Sequence, residues 1–136
     1  MDPRMRSAFL LAFLATPLAA QDLTPGLSAQ DFDAYVRGKT LTWSLGAQVW
    51  GVEEYLPRRQ VQWANQPGTC QLGHWYEDKG QICFLYEGDA GAACWIFRRT
   101  AAGLTADFQG ATGTLHLSET SQSDQGLPCP GPEVGT

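Results

Sequence analysis

The sequence predicts a mainly β fold: an antiparallel meander of about eight strands, barrel-like or strongly curled, with one short N-terminal helix. Runs of β-prone residues begin near residue 40 and alternate with turn residues at near-regular spacing. None of the gaps is long enough for a crossover helix, so neighbouring strands should pair as antiparallel hairpins. A meander of this length tends to close into a barrel, because closure hides the edges of the sheet.

The first predicted element is a short helix that begins at Ser28. The hydroxyl of Ser28 is suited to cap the helix, and Asp31 follows at the position that a capping box requires. Leu27 and Phe32 flank the cap as a hydrophobic staple. The helix should stop just before Gly38, since glycine readily adopts the left-handed conformation that ends helices. A helix this short needs a surface to pack against.

Turn residues divide the rest of the chain into strands. They supply positive φ angles or remove a backbone donor, and both effects interrupt a strand. The turn Asp78-Lys79-Gly80, for example, ends in a glycine suited to the left-handed position of a hairpin. Strands are predicted near residues 40–45, 48–56, 59–64, 70–77, 81–87, 93–99, 104–108 and 113–118.

The N-terminus has the organisation of an export signal. Arg4 and Arg6 precede a short apolar run at 8–14, and small residues follow it before Gln21. The run is too short to span a bilayer, which takes about 20 apolar residues. We therefore expect a signal peptide at 1–20, a periplasmic location and no stable membrane insertion after the signal is removed.

The remaining chain is predicted to form one domain. Residues 21–27 are a short arm, 28–118 hold the helix and the β-meander, and 119–136 are a tail rich in Pro, Gly and Ser. Composition alone would leave such a tail disordered. Cys129 within the tail indicates instead that a disulfide pins it to the domain.

The four cysteines all follow the predicted signal peptide and are expected to form two disulfides in an oxidising compartment. Their spacing lacks the Cys-x-x-Cys pairs typical of zinc, redox and haem sites, so we predict no metal and no cofactor. Four cysteines allow three connectivities. We favour Cys83–Cys94 across the central hairpin and Cys70–Cys129 at the tail.

Charge and motifs argue against several classes of function. A formal net charge of −5 argues against nucleic acid, because such partners require Lys and Arg to offset phosphate charge. No nucleophile motif and no placed Ser/His/Asp set occurs, so no catalytic residue is assigned and we predict that the chain is not an enzyme. An enzyme would need a cleft that joins His74 or His116, the only histidines, to a carboxylate.

Two acidic and two basic residues flank the predicted turn at Pro57. Glu53 and Glu54 precede the turn, and Arg58 and Arg59 follow it. On a hairpin these side chains would face each other as opposite charges. We therefore expect a cross-strand ladder on a solvated face rather than the paired carboxylates of a hydrolase.

Aromatic residues are in surplus in the strand region, which holds all five tryptophans. We expect at least half of these rings to fill the core and the others to line a pocket or a contact face. The candidate ligand-binding residues are Trp50, Trp75 and Tyr76. The predicted function is a binding module for a small ligand or envelope component. The alternative is a protein-facing inhibitor or assembly partner of an envelope enzyme, with contacts at the turns near Pro57 and Asp78.

A short pattern in the central strands carries a resemblance. Trp-Tyr-Glu at 75–77, Cys-Phe-Leu-Tyr at 83–86 and Cys-Trp at 94–95 follow a short helix and Gly38-Lys39-Thr40. In this core the chain resembles small exported alphaproteobacterial proteins of unknown function. The resemblance implies a bacterial, periplasmic β-meander and carries no activity. Periplasmic lysozyme inhibitors are also small, exported, disulfide-bearing β-barrels, but this chain lacks their Ser-Gly-x-x-Tyr loop and only the fold-level analogy remains.

The export signal predicts a defined mature protein. When the full chain is expressed in a bacterium, the periplasmic fraction should contain a species that begins at Gln21, as intact mass and N-terminal sequencing would show. A product that keeps residues 1–20 and stays with the membrane would contradict the signal-peptide prediction.

Overall fold

A computed structural model describes residues 11–16, 24–66 and 68–129. Antiparallel strands form a closed barrel in which each strand pairs with its sequence neighbours and the last strand pairs with the first. This confirms the predicted mainly β meander with one short helix, in its barrel form. The strands are β1 (Thr40–Leu45), β2 (Gln48–Tyr55), β3 (Gln60–Gln66), β4 (Thr69–Asp78), β5 (Gln81–Tyr86), β6 (Ala93–Thr100), β7 (Gly103–Gly110) and β8 (Gly113–Ser123).

Alternate residues of each strand point into the barrel. On β5, Ile82 and Phe84 are buried on the inner face, and Phe84 lies opposite Trp75 of β4. An eight-stranded barrel is just wide enough for side chains to fill its interior. The buried apolar residues of the strands are Leu41, Trp43, Tyr55, Val61, Trp75, Ile82, Cys83, Phe84, Phe97, Leu104, Ala106 and Leu117.

Helix α1 (Ala29–Val36) closes one end of the barrel. The backbone N–H of Asp31 donates to the Ser28 hydroxyl at 3.1 Å, so the predicted N-cap is confirmed. The Phe32 side chain is fully buried and contacts four rings of the barrel wall, with centroids 4.5 to 6.3 Å away. Those rings belong to Tyr55, Trp75, Phe84 and Phe97, and with Phe32 they form what we call the aromatic plug. Among the described residues, no helix is long and apolar enough to cross a membrane.

Two carboxylates attach α1 to the strands. The Ala29 backbone N–H donates to Glu77 at 2.8 Å, which satisfies a free donor at the start of the helix. Glu119 accepts hydrogen bonds from the Tyr35 hydroxyl at 2.8 Å and from the Leu104 backbone N–H at 2.7 Å. Glu119 is on β8 and Leu104 is on β7, so this carboxylate joins the helix to two strands. Its position is largely buried, since Glu119 is 8% exposed.

Strand β8 is longer than predicted. The sequence predicts a strand near 113–118 and assigns the following residues to the tail, but β8 continues to Ser123, which pairs with Thr40 of β1. The apolar alternation that marks a strand stops at Leu117, since the next inward side chain is Glu119. Pairing with β1 therefore sets the length of β8.

Both favoured disulfides are present. Cys83–Cys94 joins β5 to β6 across the central hairpin, and Cys70–Cys129 joins β4 to the tail. Each is expected to stabilise the fold by about 2–4 kcal/mol, mainly because it restricts the unfolded chain. The predicted pinning of the tail is thus observed up to Cys129, and its last residues, 130–136, lie outside the described part of the chain.

The tail between β8 and Cys129 crosses the outer surface of the barrel. The Thr40 hydroxyl donates to the Gln125 carbonyl at 2.7 Å, and the Leu127 backbone N–H donates to the Glu54 carboxylate at 2.9 Å. These contacts hold the tail against β1 and β2 before the disulfide fixes its end. Of the predicted signal peptide and arm, residues 1–10 and 17–23 lie outside the described residues.

The predicted ladder of opposite charges around Pro57 is wrong. Arg58 and Arg59 lie within the turn, so they do not extend along β3 opposite the acidic residues. Neighbouring residues on a strand face opposite sides. Glu54 faces outward and binds the tail, whereas Glu53 faces into the barrel and is only 2% exposed.

The turn between β2 and β3 contains two arginines in the left-handed region, with φ of 58° at Arg58 and 59° at Arg59. The Gln60 backbone N–H donates to the Pro57 carbonyl across them. Positive φ at both central positions is the pattern of a type I′ turn, which favours Asn and Gly. The Arg59 guanidinium also lies over the Trp75 ring, 4.6 Å from its centroid.

Glycine at position 58 should stabilise this turn more than glycine at position 59. Arg58→Gly removes a left-handed non-glycine residue and should raise the free energy of unfolding by about 1 kcal/mol. Arg59→Gly is the matched control, because its gain is offset by loss of the contact with Trp75, worth roughly 0.5–1 kcal/mol. Urea unfolding of both variants measures the difference, and a larger gain for Arg59→Gly would contradict this account.

Candidate functional site

A cavity of about 180 Å³ lies inside the barrel above the aromatic plug. Tyr55 and Phe84 contact Phe32 and also line the cavity, so the plug forms its floor. Trp50, next to the β1–β2 turn at the barrel end opposite α1, is 44% exposed and forms part of the rim. The lining residues are Trp43, Trp50, Glu53, Tyr55, Trp63, Phe84, Tyr86, Ala93, Trp95, Ala106 and Leu117.

Trp50 reaches the cavity through a β-bulge. The β1–β2 register pairs Trp43 with Gly51 and Ser44 with Val49, which leaves Trp50 without a residue opposite it. A bulge adds a residue to one strand and re-aims its side chains. Without the bulge, strict alternation would point Trp50 to the opposite face from Gly51, which faces inward with its partner Trp43. The bulge therefore accounts for the position of Trp50 at the rim.

Backbone geometry and a hydrogen bond fix the rings of the wall. A Cβ at position 51 would lie 2.2 Å from Cζ2 of Trp63, so the glycine at Gly51 leaves the space that the indole occupies. Across the cavity, the Trp43 indole N–H donates to the Tyr55 hydroxyl at 3.3 Å. These three rings are therefore held in place before any ligand arrives, which lowers the ordering cost of binding.

Glu53 supplies the single carboxyl that the described residues contribute to the cavity wall. The Tyr86 hydroxyl donates to its Oε1 at 2.6 Å. Its Oε2 is buried and has no hydrogen-bond partner among the described residues. Burial raises the pKa of Glu53 well above the usual value for a carboxyl, and the hydrogen bond from Tyr86 opposes that shift only in part. Burial therefore favours the neutral, protonated acid in the folded barrel.

The two phenols beside Glu53 are also held in their neutral form. Burial is the main reason that the pKa values of Tyr55 and Tyr86 are raised, and the nearby Glu53 carboxyl adds to both shifts. Neither phenol supplies a positive charge, and no Lys, Arg or His of the described residues lines the cavity to balance Glu53.

The three predicted ligand-binding residues lie in three different environments. Trp50 lines the rim of the cavity. Trp75 is 2% exposed and belongs to the plug, where its ring centroid lies 5.1 Å from that of Phe32. Tyr76 is on the outside of β4 and is 38% exposed. The structure therefore does not bring these residues together into one site.

Glu53 is a site residue that the sequence analysis missed. The pair Glu53-Glu54 was interpreted as half of a charged ladder, yet two adjacent residues on a strand of a closed barrel cannot both face water. That adjacency was the available signal that one carboxyl would be buried. Which of the two it would be depends on the register of β2 within the barrel.

The two histidines do not converge. His74 is on β4 and His116 is on β8, and both are exposed. His116 Nδ1 lies 2.5 Å from the Asp107 carboxylate of β7, while His74 packs beside the ring of Tyr76. Within residues 11–16, 24–66 and 68–129, no three His, Cys, Asp or Glu side chains form a group that could hold a metal ion.

The fold and the cavity define this chain as a small, disulfide-stabilised β-barrel domain with an aromatic interior. Its paired cysteines indicate an oxidising, extracytoplasmic environment. No protein-family model, no curated protein and no solved structure matches the chain.

The raised pKa of Glu53 predicts a specific dependence of stability on pH. The folded barrel retains a proton that the unfolded chain releases as the pH rises through about 4.5, so stability is lost as the pH rises from there towards the folded pKa. Glu53→Gln stays neutral and keeps an acceptor for Tyr86, so it should lack this loss and exceed the parent in stability at neutral pH.

Urea unfolding at a series of pH values measures this effect. The control is Glu87→Gln, which removes an exposed carboxyl near the same end of the barrel and should leave the pH dependence of the parent intact. Parallel curves for the parent and Glu53→Gln would show that Glu53 is ionised in the folded protein as readily as in the unfolded chain.

Proposed function

We propose that this protein is a periplasmic binding module that holds one small ligand in its barrel cavity. The observation that carries the proposal is a wall of aromatic rings around a buried carboxyl with an unpartnered oxygen. Small-molecule sites are commonly apolar pockets with a few converging polar groups, and groups with perturbed pKa values cluster at functional sites. We also propose kinship with the exported alphaproteobacterial proteins whose core motif the chain resembles.

The size of the cavity supports a ligand of about one ring. Its volume of about 180 Å³ is close to the roughly 150 Å³ that accommodates benzene in an engineered protein cavity. The same barrel is filled at the helix end, where Phe32 packs against four rings, so the barrel width does not itself impose a void.

The alternative is a protein-facing role, and it has less support. Its suggested contacts are the turns near Pro57 and Asp78, and the formal net charge of −5 would favour a basic partner. These turns carry Arg58, Arg59 and Lys79 against one acidic residue, Asp78, so they present net positive charge to such a partner. Complementary charge guides association between proteins, and these turns do not offer it to a basic partner.

A larger side chain that fills the cavity should prevent ligand binding while the barrel stays folded. Ala106 is 2% exposed and lines the cavity, so Ala106→Leu places extra side-chain volume in it. Binding of single-ring probes such as benzyl alcohol and benzylamine, followed by tryptophan fluorescence, should weaken by about tenfold or more. Circular dichroism and thermal unfolding would establish that the variant is folded.

The matched control is Tyr76→Ala, which removes a ring from the outer face of the same barrel. It should leave probe binding unchanged. Weakened binding in Tyr76→Ala with unchanged binding in Ala106→Leu would move the site to the outer surface. Native mass spectrometry of protein purified from periplasm without denaturation adds an independent readout, since a retained ligand should appear as extra mass in the parent and not in Ala106→Leu.

A further inference from the structure

The wall of the cavity has the chemistry of a cation site. Of the eleven described residues that line it, seven are aromatic and none is Lys, Arg or His. The face of an aromatic ring carries negative partial charge and attracts a cation placed over it, with tryptophan the strongest partner. The tryptophans of the wall are Trp43, Trp50, Trp63 and Trp95.

Glu53 adds a formal negative charge to this wall whenever it ionises. Tyr86 satisfies one of its oxygens and no described group satisfies the other. A buried carboxylate is stable only when it is paired and hydrogen-bonded, so a neutral apolar ligand would leave the ionised form of Glu53 uncompensated. A positive ligand would supply the counter-charge that none of the described residues brings to the cavity wall.

We infer that the ligand is a small organic ammonium ion, with its positive nitrogen among the ring faces and close to the Glu53 carboxylate. This inference rests on the proposed function and names the ligand class for the same site. The volume of about 180 Å³ suits a quaternary ammonium head group or a single-ring ammonium. The exposed rim at Trp50 lets a longer substituent extend towards solvent.

Binding of an ammonium ion should release the proton that Glu53 holds. Burial raises the pKa of Glu53, whereas a bound ammonium would favour the carboxylate. The proton on Glu53 then leaves to solvent, and the complex pairs a carboxylate with an ammonium. Below the pKa of Glu53, each bound ammonium should therefore release about one proton, and its affinity should rise with pH.

The other titratable groups around Glu53 do not produce this signal. Tyr55 on β2 and Tyr86 on β5 have raised pKa values and stay neutral. Glu119 on β8 acts on Tyr55, and Asp89 after β5 acts on Tyr86. Glu119 binds the Leu104 backbone N–H and the Tyr35 hydroxyl, and Asp89 is exposed, so Glu53 is the carboxyl that lies in the cavity wall beside the bound ion.

The test compares charged probes with neutral probes of the same shape. One pair is choline and the alcohol in which carbon replaces its ammonium nitrogen, and the other is benzylammonium and benzyl alcohol. Calorimetry with the intact mature protein should show each cation binding about tenfold or more tightly than its neutral counterpart. Choline binding should tighten as pH rises, and two buffers of different ionisation enthalpy should reveal proton release.

Two variants distinguish a specific effect of the Glu53 carboxyl on binding from a general effect of negative charge on the protein. Glu53→Gln should weaken choline binding about tenfold or more and abolish proton release, while binding of the neutral alcohols stays within a few-fold of the parent. Glu87→Gln removes an exposed carboxyl near the same end of the barrel and should leave both unchanged. Circular dichroism would show that both variants are folded.

The outcomes distinguish this inference from the proposed function. Equal or tighter binding of both neutral probes, or affinity that falls as pH rises, would overturn the ammonium inference and leave the cavity as a site for neutral ligands. If no probe of either kind binds and native mass spectrometry finds no retained ligand, the proposed function fails and the inference fails with it.

Discussion

The pairing of β8 with β1 is the constraint on which the rest of this structure depends. It closes the sheet, and closure gives every strand an inner face and an outer face with no free edge. Phe32 of α1 then fills the interior at one end, and the rings above it surround a cavity. Glu119 reinforces the closure, since it lies on β8 and binds both α1 and β7.

The cavity combines two features that work against stability. A void forfeits the packing contacts of its lining, and a buried carboxyl with an unpartnered oxygen costs free energy. The domain offsets such costs with two disulfides and with a tail held along β1 and β2. Natural proteins tend to break the rules of packing and polar satisfaction at functional sites, which is why Glu53 and its surroundings define the candidate site.

Much of the fold could be predicted because its signals are local. The N-cap at Ser28, the glycine turns and the number of strands all follow from interactions between residues close in sequence. The pairing Cys83–Cys94 follows from one hairpin. Residues 119–123 of β8 escaped prediction because their pairing with β1 brings together residues about 80 positions apart, beyond any local pattern.

The sequence by itself determined the strand meander, the short helix before it and the pairing of Cys83 with Cys94 across one hairpin. Only the tertiary structure decided which side chains form the site. Alternation places Glu53 and Glu54, or Trp75 and Tyr76, on opposite faces, but it does not say which face is inside. Barrel closure, register and a bulge at Trp50 make that choice, because the inner face exists only once distant strands have paired.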